Sequence, residues 1–353
     1  MSHWVTTASM KVSVTWPRSR NSRARTGPYT GYGGPEVLTV SQVAAPEPGP
    51  GQLRIRVRAA AVNPIDVRIR AGMMQGVFPV DFPMVPGWDV AGVVDEVGEG
   101  AAFSVGEEVF GVATVGGYSE YALLDRPFAK PRELSFETAA AMITVGEAAY
   151  RALEHLGVRE GQTLLIHGAG GSVGTVAVQL ASARGITVVG TVAEEDIERV
   201  TGLGAVAVRY GDGWLERVRA AAPDGVDAVF DASGAGVLPD SVALVGDADK
   251  VITIADPAAA RHGVLFTGTD PADRFPQALP QLAHLIAAGR LDLPLWRTYP
   301  LAEPHRPTQP WKPAATAATA ATAAKSSSSP DAVTDHRFFS AEGSSTARTT
   351  RAR

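Results

Sequence analysis

The stretch that decides the fold is Leu164–Gly174, which reads Leu-Leu-Ile-His-Gly-Ala-Gly-Gly-Ser-Val-Gly. Residues 164–166 have the apolar character of a buried strand end, and apolar residues at 173, 176, 177 and 180 have the spacing of one helix face. Glycines between them permit a tight turn and close approach of backbone N–H groups to an anion at the helix N-terminus. The alternative is an ordinary tight turn. Because strand, turn and helix follow in order, the pattern predicts a pyrophosphate-binding loop. Its predicted contacts are Gly168, Ala169, Gly170, Gly171, Ser172, Val173 and Gly174.

The end of the next strand bears on the choice of dinucleotide. Enzymes that use NAD usually present an acid there, whereas residues 190–193 read Gly-Thr-Val-Ala. This favours NADPH, with Thr191 at the cofactor, although acids follow at 194–196. No nearby Lys or Arg clamps a phosphate, and Arg209 can reach the site from the next loop. An exposed, solvated Arg209 is the alternative.

The flanking sequence indicates two domains. Apolar strands alternate with helical segments over residues 126–265, which predicts a doubly wound parallel sheet of the Rossmann type. Before it, residues 53–61 alternate apolar and basic side chains, and short Val-rich runs follow up to Pro131. This pattern predicts a barrel-like unit of antiparallel strands over 28–125. An Ala-rich helix from Glu137 to Gly157 is predicted to join the two.

Composition excludes several functions. The chain has 353 residues, 45% of them hydrophobic, a net charge of −5 and no cysteine. Without a dense basic run we expect no nucleic-acid partner, and without thiolates no disulfide or cysteine-bound zinc. No stretch approaches the length of a membrane span, so we expect no membrane partner and a cytoplasmic location. Residues 1–27 are predicted to be a disordered extension, with a transit peptide as the alternative.

Several motifs occur in the order found in one family. They are GYGGPEVLTV at 31–40, AAAVNPIDVRIRAG at 59–72, VPGWDVAGVVDEVGEG at 85–100, GGYSEYALL at 116–124, ARGITVVGTV at 183–192 and VDAVFDASG at 226–234. The chain resembles the zinc-free quinone reductases of the medium-chain dehydrogenase superfamily over residues 30–300. The resemblance implies an α/β protein with a GroES-like catalytic barrel, a Rossmann domain and a return of residues 266–303 to the barrel. It also implies a homodimer, for which the apolar stretch 263–266 is a candidate; an internal strand is the alternative.

The resemblance also implies site residues. In the family, the Asn of the VNPID motif lies near nicotinamide and substrate, so Asn63 is the candidate polar contact and Asp66 orients the loop or partners an Arg. A simple Asn-Pro turn is the alternative for Asn63. Thr144 and Tyr210 match family positions near the cofactor, or pack ordinarily. Zinc-dependent relatives have a Cys or similar ligand at position 63 and His-Glu at 88–89, so no metal is expected.

Two more candidates, and two residues with alternative interpretations, come from position in the predicted sheet. Asp231 and Ser233 follow the fourth Rossmann strand, where the carboxyl edge of a parallel sheet meets its ligand. His167 beside the glycine loop is interpreted as structural, with a metal or acid role as the alternative. Trp88 either stacks on a planar acceptor or belongs to the core.

The C-terminus departs from the family. After Glu303 the chain enters a low-complexity tail over 304–353, where relatives have a closing strand that reads Gly-Lys-Ile-Val-Leu. Residues 324–330, if written GCA AAA TCG TCC TCC TCC CCG, become Gly-Lys-Ile-Val-Leu-Leu-Pro when read one nucleotide back. We therefore hypothesise a reading-frame shift shortly after Glu303, which a gene sequence without a frame-shifting change there would refute.

Together these features predict an NADPH-dependent reductase of quinones or α,β-unsaturated carbonyls that needs no metal. The alternative from a different class is a nucleotide-binding structural or regulatory protein with little turnover.

Overall fold

The structure is a computed structural model that describes residues 10–13, 23–114 and 116–300. The predictions for the tail at 304–353 and for the reading frame lie outside the described residues. Two segments of the supposed extension over 1–27 are strands, β1 (Met10–Ser13) and β2 (Arg23–Thr26). The backbone of β1 pairs with residues 59–62, and that of β2 with β3 (Ser41–Ala44). The sequence did not predict these two strands, because a strand at a sheet edge can be held by backbone hydrogen bonds to its neighbour without any apolar periodicity of its own.

The first sheet is antiparallel. Within the described residues its strands are β1, β4 (Leu53–Val62), β5 (Asp89–Val97), β6 (Glu108–Val112), β7 (Tyr121–Leu124) and β8 (Phe128–Ala129). Strand β4 pairs with β1, β5 and β7, and Ala113, directly after β6, bridges Leu124 in β7. The sheet therefore curls back on itself, which confirms the predicted GroES-like barrel.

The side chains of β4 show how this barrel meets the rest of the molecule. Leu53, Ile55 and Val57 are buried, and Arg54 and Arg56 between them are partly exposed, as the alternation predicts. Residues 59–62 are instead buried without alternation, because the long helix α2 (Phe136–Leu156) packs on this end of β4 and on β5.

Helix α2 begins and ends as predicted, within one residue. The Ser135 hydroxyl accepts a hydrogen bond from the Thr138 N–H at 3.1 Å, and Gly157 ends the helix with φ +60°. Since α2 shares one apolar core with the barrel and with the second sheet, it fixes where the two face each other.

The second sheet is parallel. Over the described part of the chain its strands are β9 (Thr163–His167), β10 (Thr187–Val192), β11 (Ala205–Arg209), β12 (Ala228–Asp231), β13 (Val251–Thr253) and β14 (Leu265–Phe266). The spatial order is β11-β10-β9-β12-β13-β14, which is the 3-2-1-4-5-6 order of a Rossmann domain. The helices of the described chain are α1 (Pro64–Arg70), α2, α3 (Ser172–Ala183), α4 (Ile197–Gly202), α5 (Trp214–Ala221), α6 (Leu238–Val245) and α7 (Ala278–Ala287).

After β14 the chain contacts both units. Leu279 and Leu282 of α7 join the core around α2, and Trp296 and Tyr299 pack on the barrel core. The predicted domain boundaries, including the return over 266–303, stay predictions. None of the described helices is long and apolar enough to cross a membrane.

Candidate active site

The glycine loop connects β9 to α3 with little space to spare. Gly168 has φ +73°, and its carbonyl oxygen accepts from the Gly171 N–H at 2.9 Å. A Cβ on Gly174 would collide with that carbonyl oxygen and lie 2.7 Å from the Ala169 Cα. Val173 and the other apolar residues predicted to face inwards are buried. The loop therefore holds the N-terminus of α3 against the end of β9, with its backbone open to a close-fitting ligand.

His167, the last residue of β9, has a structural environment. Its ring hydrogen-bonds to the hydroxyls of Thr191 and Ser241 at 3.1 and 3.2 Å and meets the Trp214 ring edge-on. Burial lowers its pKa to about 4, against the opposing effect of Asp231. The ring is therefore neutral near pH 7, and the Thr191 side chain faces His167 inside the fold.

Arg209 and Tyr210, both predicted to lie at the cofactor, are found at the outer edge of the parallel sheet. Arg209 is exposed and lies 3.8 Å from Glu194, and Tyr210 is half-exposed. Arg199 in α4, which the sequence analysis missed, donates to the Gly170 carbonyl at 2.8 Å and to the Asp196 carboxylate at 2.9 Å. A cation thus lies beside the glycine loop. The sequence signal available for Arg199 was a basic residue that follows the acids at 194–196 by about one helix turn.

Asp231 and Ser233 shape the end of β12. The Asp231 carboxylate accepts hydrogen bonds from the Ser233 N–H and hydroxyl and from the Thr253 hydroxyl, at 2.7–2.9 Å. Asp231 is fully buried. These bonds fix the turn that follows β12, whose Ala232 lines the cleft described below.

Asn63 and Asp66 lie at the N-terminus of α1. The Asn63 N–H donates to Asp66 at 2.8 Å, and the Asn63 amide donates to the buried Asp89 at 2.8 Å. The same Asp89 oxygen accepts from the Thr144 N–H at 3.0 Å. Asp89 thereby ties the barrel to α2. The sequence analysis considered position 89 only as one at which zinc-dependent relatives have a different residue. The available signal for a structural role of Asp89 was its position just after the glycine turn at 87.

Both carboxyl groups are affected by burial. Burial raises the pKa of Asp66 to about 7, against hydrogen bonds from the Asn63 N–H and the Tyr118 hydroxyl; the Asp89 charge adds to the rise. Burial also raises the pKa of Asp89, although hydrogen bonds from Thr144 and Asn63 oppose it. Asp66 does not line the cleft, so its effect on a ligand passes through Asn63.

These elements surround a cleft of about 180 Å³ between the barrel and the carboxyl ends of the parallel strands. It joins four of the predicted residues, Asn63, Thr144, Ser172 and Val173. The other predicted residues outside the glycine loop are not among its lining residues: Asp66, Thr191, Arg209, Tyr210, Asp231 and Ser233. Trp88 is not among its lining residues. The other lining residues are Pro64, Ile65, Arg68, Met74, Phe78, Val145, Ala148, Arg151, Ala232, Ile254, Ala255, Phe266, Thr267, Gly268, Thr269 and Arg274.

The lining is largely apolar, with hydroxyl, amide and arginine side chains among it. Among the described residues, no group of three or more His, Cys, Asp or Glu side chains has the arrangement of a metal site.

Family comparisons match both units. Residues 49–132 match the family described as "Alcohol dehydrogenase GroES-like domain", and residues 172–268 match "Zinc-binding dehydrogenase". The rat quinone oxidoreductase is 35% identical over 63% of this chain and 70% of its own length. The human quinone oxidoreductase is 43% identical over 48% of this chain, and the matched region spans 53% of the human protein. The chain thus spans about half the length of the human relative.

Solved structures have the same architecture. A mycobacterial protein solved in complex with NADPH has 26% sequence identity and a TM-score of 0.71, covering 84% of this chain and 99% of that one. The chain therefore belongs to the quinone oxidoreductase family of the medium-chain dehydrogenases.

Proposed function

We propose that this chain is an NADPH-dependent reductase that delivers hydride to quinones or α,β-unsaturated carbonyl compounds without a catalytic metal. The observation that carries the proposal is the cleft, because it brings Asn63 from the barrel opposite the carboxyl ends of the parallel strands. In a Rossmann domain, ligands bind at this edge of the sheet.

The glycine loop fits a dinucleotide. Gly168 and Gly174 approach each other too closely for any side chain, so the loop backbone lies open at the N-terminus of the twelve-residue helix α3. Helix dipole and backbone N–H groups favour a pyrophosphate there. Residues 168–174 would hold that group, and Thr144 and Ala232 would border the nicotinamide.

A preference for NADPH has two supports. Residues 191–193 present no carboxylate at the end of β10. Beyond it, Asp196 is ion-paired with Arg199, so part of its negative charge is offset beside the loop. A 2′-phosphate therefore meets less repulsion than the three acids at 194–196 suggest in the sequence.

In hydride transfer the protein contributes mainly the positioning of the two reactants and the exclusion of water. NADPH, when bound, supplies the hydride. Asp89 holds the Asn63 amide in one orientation and anchors the Thr144 backbone, so both walls of the cleft keep their spacing. Met74, Phe78 and Phe266 present apolar surface to the acceptor. The proton reaches the reduced acceptor from solvent. The chain has no cysteine to supply a thiolate ligand for zinc.

The test is a titration of the purified full chain with NADPH and with NADH by nicotinamide fluorescence, followed by addition of a simple quinone. We expect tighter binding of NADPH and oxidation of the cofactor on addition of quinone. Binding without turnover would favour the nucleotide-binding structural or regulatory alternative. Failure of a folded sample to bind either dinucleotide would overturn the cofactor assignment.

We also propose a homodimer formed through β14. This short strand is the edge of the parallel sheet, and Leu265 is 48% exposed. An unpaired edge can add a second copy of itself across a two-fold axis. Light scattering of the wild type and of Leu265→Pro tests it, and a monomeric wild type would refute it.

A further inference from the structure

The charged residues that line the cleft all carry the same sign. Its charged lining residues, within the described chain, are Arg68 in α1, Arg151 in α2 and Arg274 after β14, and no Asp or Glu lines it. Arg68 belongs to the barrel wall, and Arg274 belongs to the segment that follows the last strand of the opposite wall. An electropositive lining therefore spans both sides of an otherwise largely apolar cleft.

One carboxylate partly balances this charge from behind. Glu147, buried in α2, pairs with Arg151 and lies 3.2 Å from the Arg274 guanidinium. It also accepts from the Phe275 N–H at 3.0 Å. Glu147 thus shares its single charge between two guanidinium groups.

Two buried polar atoms in the lining indicate a ligand. Arg151 Nε and Thr267 Oγ1 have no hydrogen-bond partner among the described residues, although their residues are 3% and 2% exposed. Leaving such groups unpaired destabilises a fold, so an unpaired pair in one cleft calls for an explanation. Both atoms can donate a hydrogen bond. An anionic oxygen satisfies two donors at once, and its charge is opposite to that of the arginines in the lining.

We infer that the cleft takes an acceptor with a carboxylate near its reducible double bond, bound by Arg68, Arg151 and Arg274 with Thr267. This rests on the proposed reductase function and adds the substrate class to it. The apolar lining around Met74 and Phe78 receives the carbon skeleton. Neutral quinones remain acceptors, but they leave the two donors unpaired and bind more weakly.

A binding measurement tests the anion without any turnover. The probes are 4-oxopentanoate and its methyl ester, which share a skeleton, differ in charge and have no reducible carbon–carbon double bond. Calorimetry with the protein loaded with NADPH should give roughly tenfold or tighter binding of the acid, because a hydrogen bond to a charged group contributes more than a neutral one. The preference should shrink as salt is raised.

Variants identify the residues responsible. Arg68→Met should reduce the preference for the acid to within about threefold, as expected when one charged contact is removed. Arg274→Met should act in the same direction. Arg219→Met is the matched control, because Arg219 is exposed on α5 and does not line the cleft. It should leave the affinities of both probes as they are.

Turnover separates the two proposals. The unsaturated pair, 4-oxopent-2-enoate and its methyl ester, should show the same preference in kcat/KM. Equal binding of acid and ester together with turnover of the ester would overturn the anionic acceptor and leave the reductase standing. This outcome would arise if the two donors serve the bound cofactor. Preferred binding of the acid without turnover of either enone would support the anion site and overturn the reductase.

Discussion

Replacing Gly174 by alanine tests the structure of the glycine loop directly. The new Cβ would collide with the Gly168 carbonyl oxygen and lie 2.7 Å from the Ala169 Cα. Carbon atoms prefer a separation of about 3.5 Å or more, so the loop or α3 must move by roughly 0.8 Å. Overpacking of this kind costs about 1–3 kcal/mol, against about 0.5–1 kcal/mol gained by removing a helical glycine.

Two measurements follow from this displacement. Urea unfolding should show Gly174→Ala to be less stable by about 1–2 kcal/mol. Fluorescence titration should show NADPH binding weakened by roughly tenfold or more, because the loop proposed to hold the phosphates has moved. The matched control is Gly202→Ala in α4, where a Cβ meets no atom within 4 Å. It should keep the affinity of the wild type and lose no stability. Unchanged NADPH affinity in a folded Gly174→Ala protein would refute the assignment of the loop.

Three further predictions concern the polar groups around the cleft. Asp89→Ala removes the one carboxylate oxygen that accepts from both the Asn63 amide and the Thr144 N–H, so kcat should fall by about tenfold while the dinucleotide still binds; an unchanged kcat contradicts the positioning role. Burial raises the pKa of Asp66 from 3.8 to about 7. Wild-type stability should therefore fall as the pH rises through this range, because the carboxyl ionises in the unfolded chain while it stays protonated in the fold; Asp66→Asn should flatten that slope in unfolding curves, and an equal slope refutes it. Arg199→Met removes one cation that pairs with Asp196 beside the loop, so the affinity for NADPH should fall by about tenfold relative to that for NADH, and an unaltered ratio rules out a role in dinucleotide choice.

Local pattern was sufficient wherever a short segment carries its own signal. The glycine loop, the caps of α2 and the alternation in β4 were all predictable, because each depends on the conformational preferences of neighbouring residues. Strands β1 and β2 were missed because their pairing partners lie far along the chain.

The residues of the candidate site also divide into those with a local sequence signal and those without one. Asn63 and the loop at 168–174 were predicted from motifs and stay predictions as site residues, whereas the contacts of Asp89 and Arg199 needed coordinates. Asp89 contacts residues 26 and 55 positions away in the sequence, and Arg199 contacts one that is 29 positions away. A single aspartate or arginine has no signature in the sequence until its partners are known.

Periodicity and glycine spacing are local properties of the chain, so they were enough to predict the two-unit architecture, the parallel sheet and the place of the glycine loop. The folded arrangement was needed to show that Arg68, Arg151 and Arg274 meet in one cleft and that Arg151 Nε and Thr267 Oγ1 have no hydrogen-bond partner among the described residues. Charge balance and hydrogen-bond satisfaction depend on distances between side chains from three separate segments, and these distances exist only after α2 has packed the barrel against the sheet.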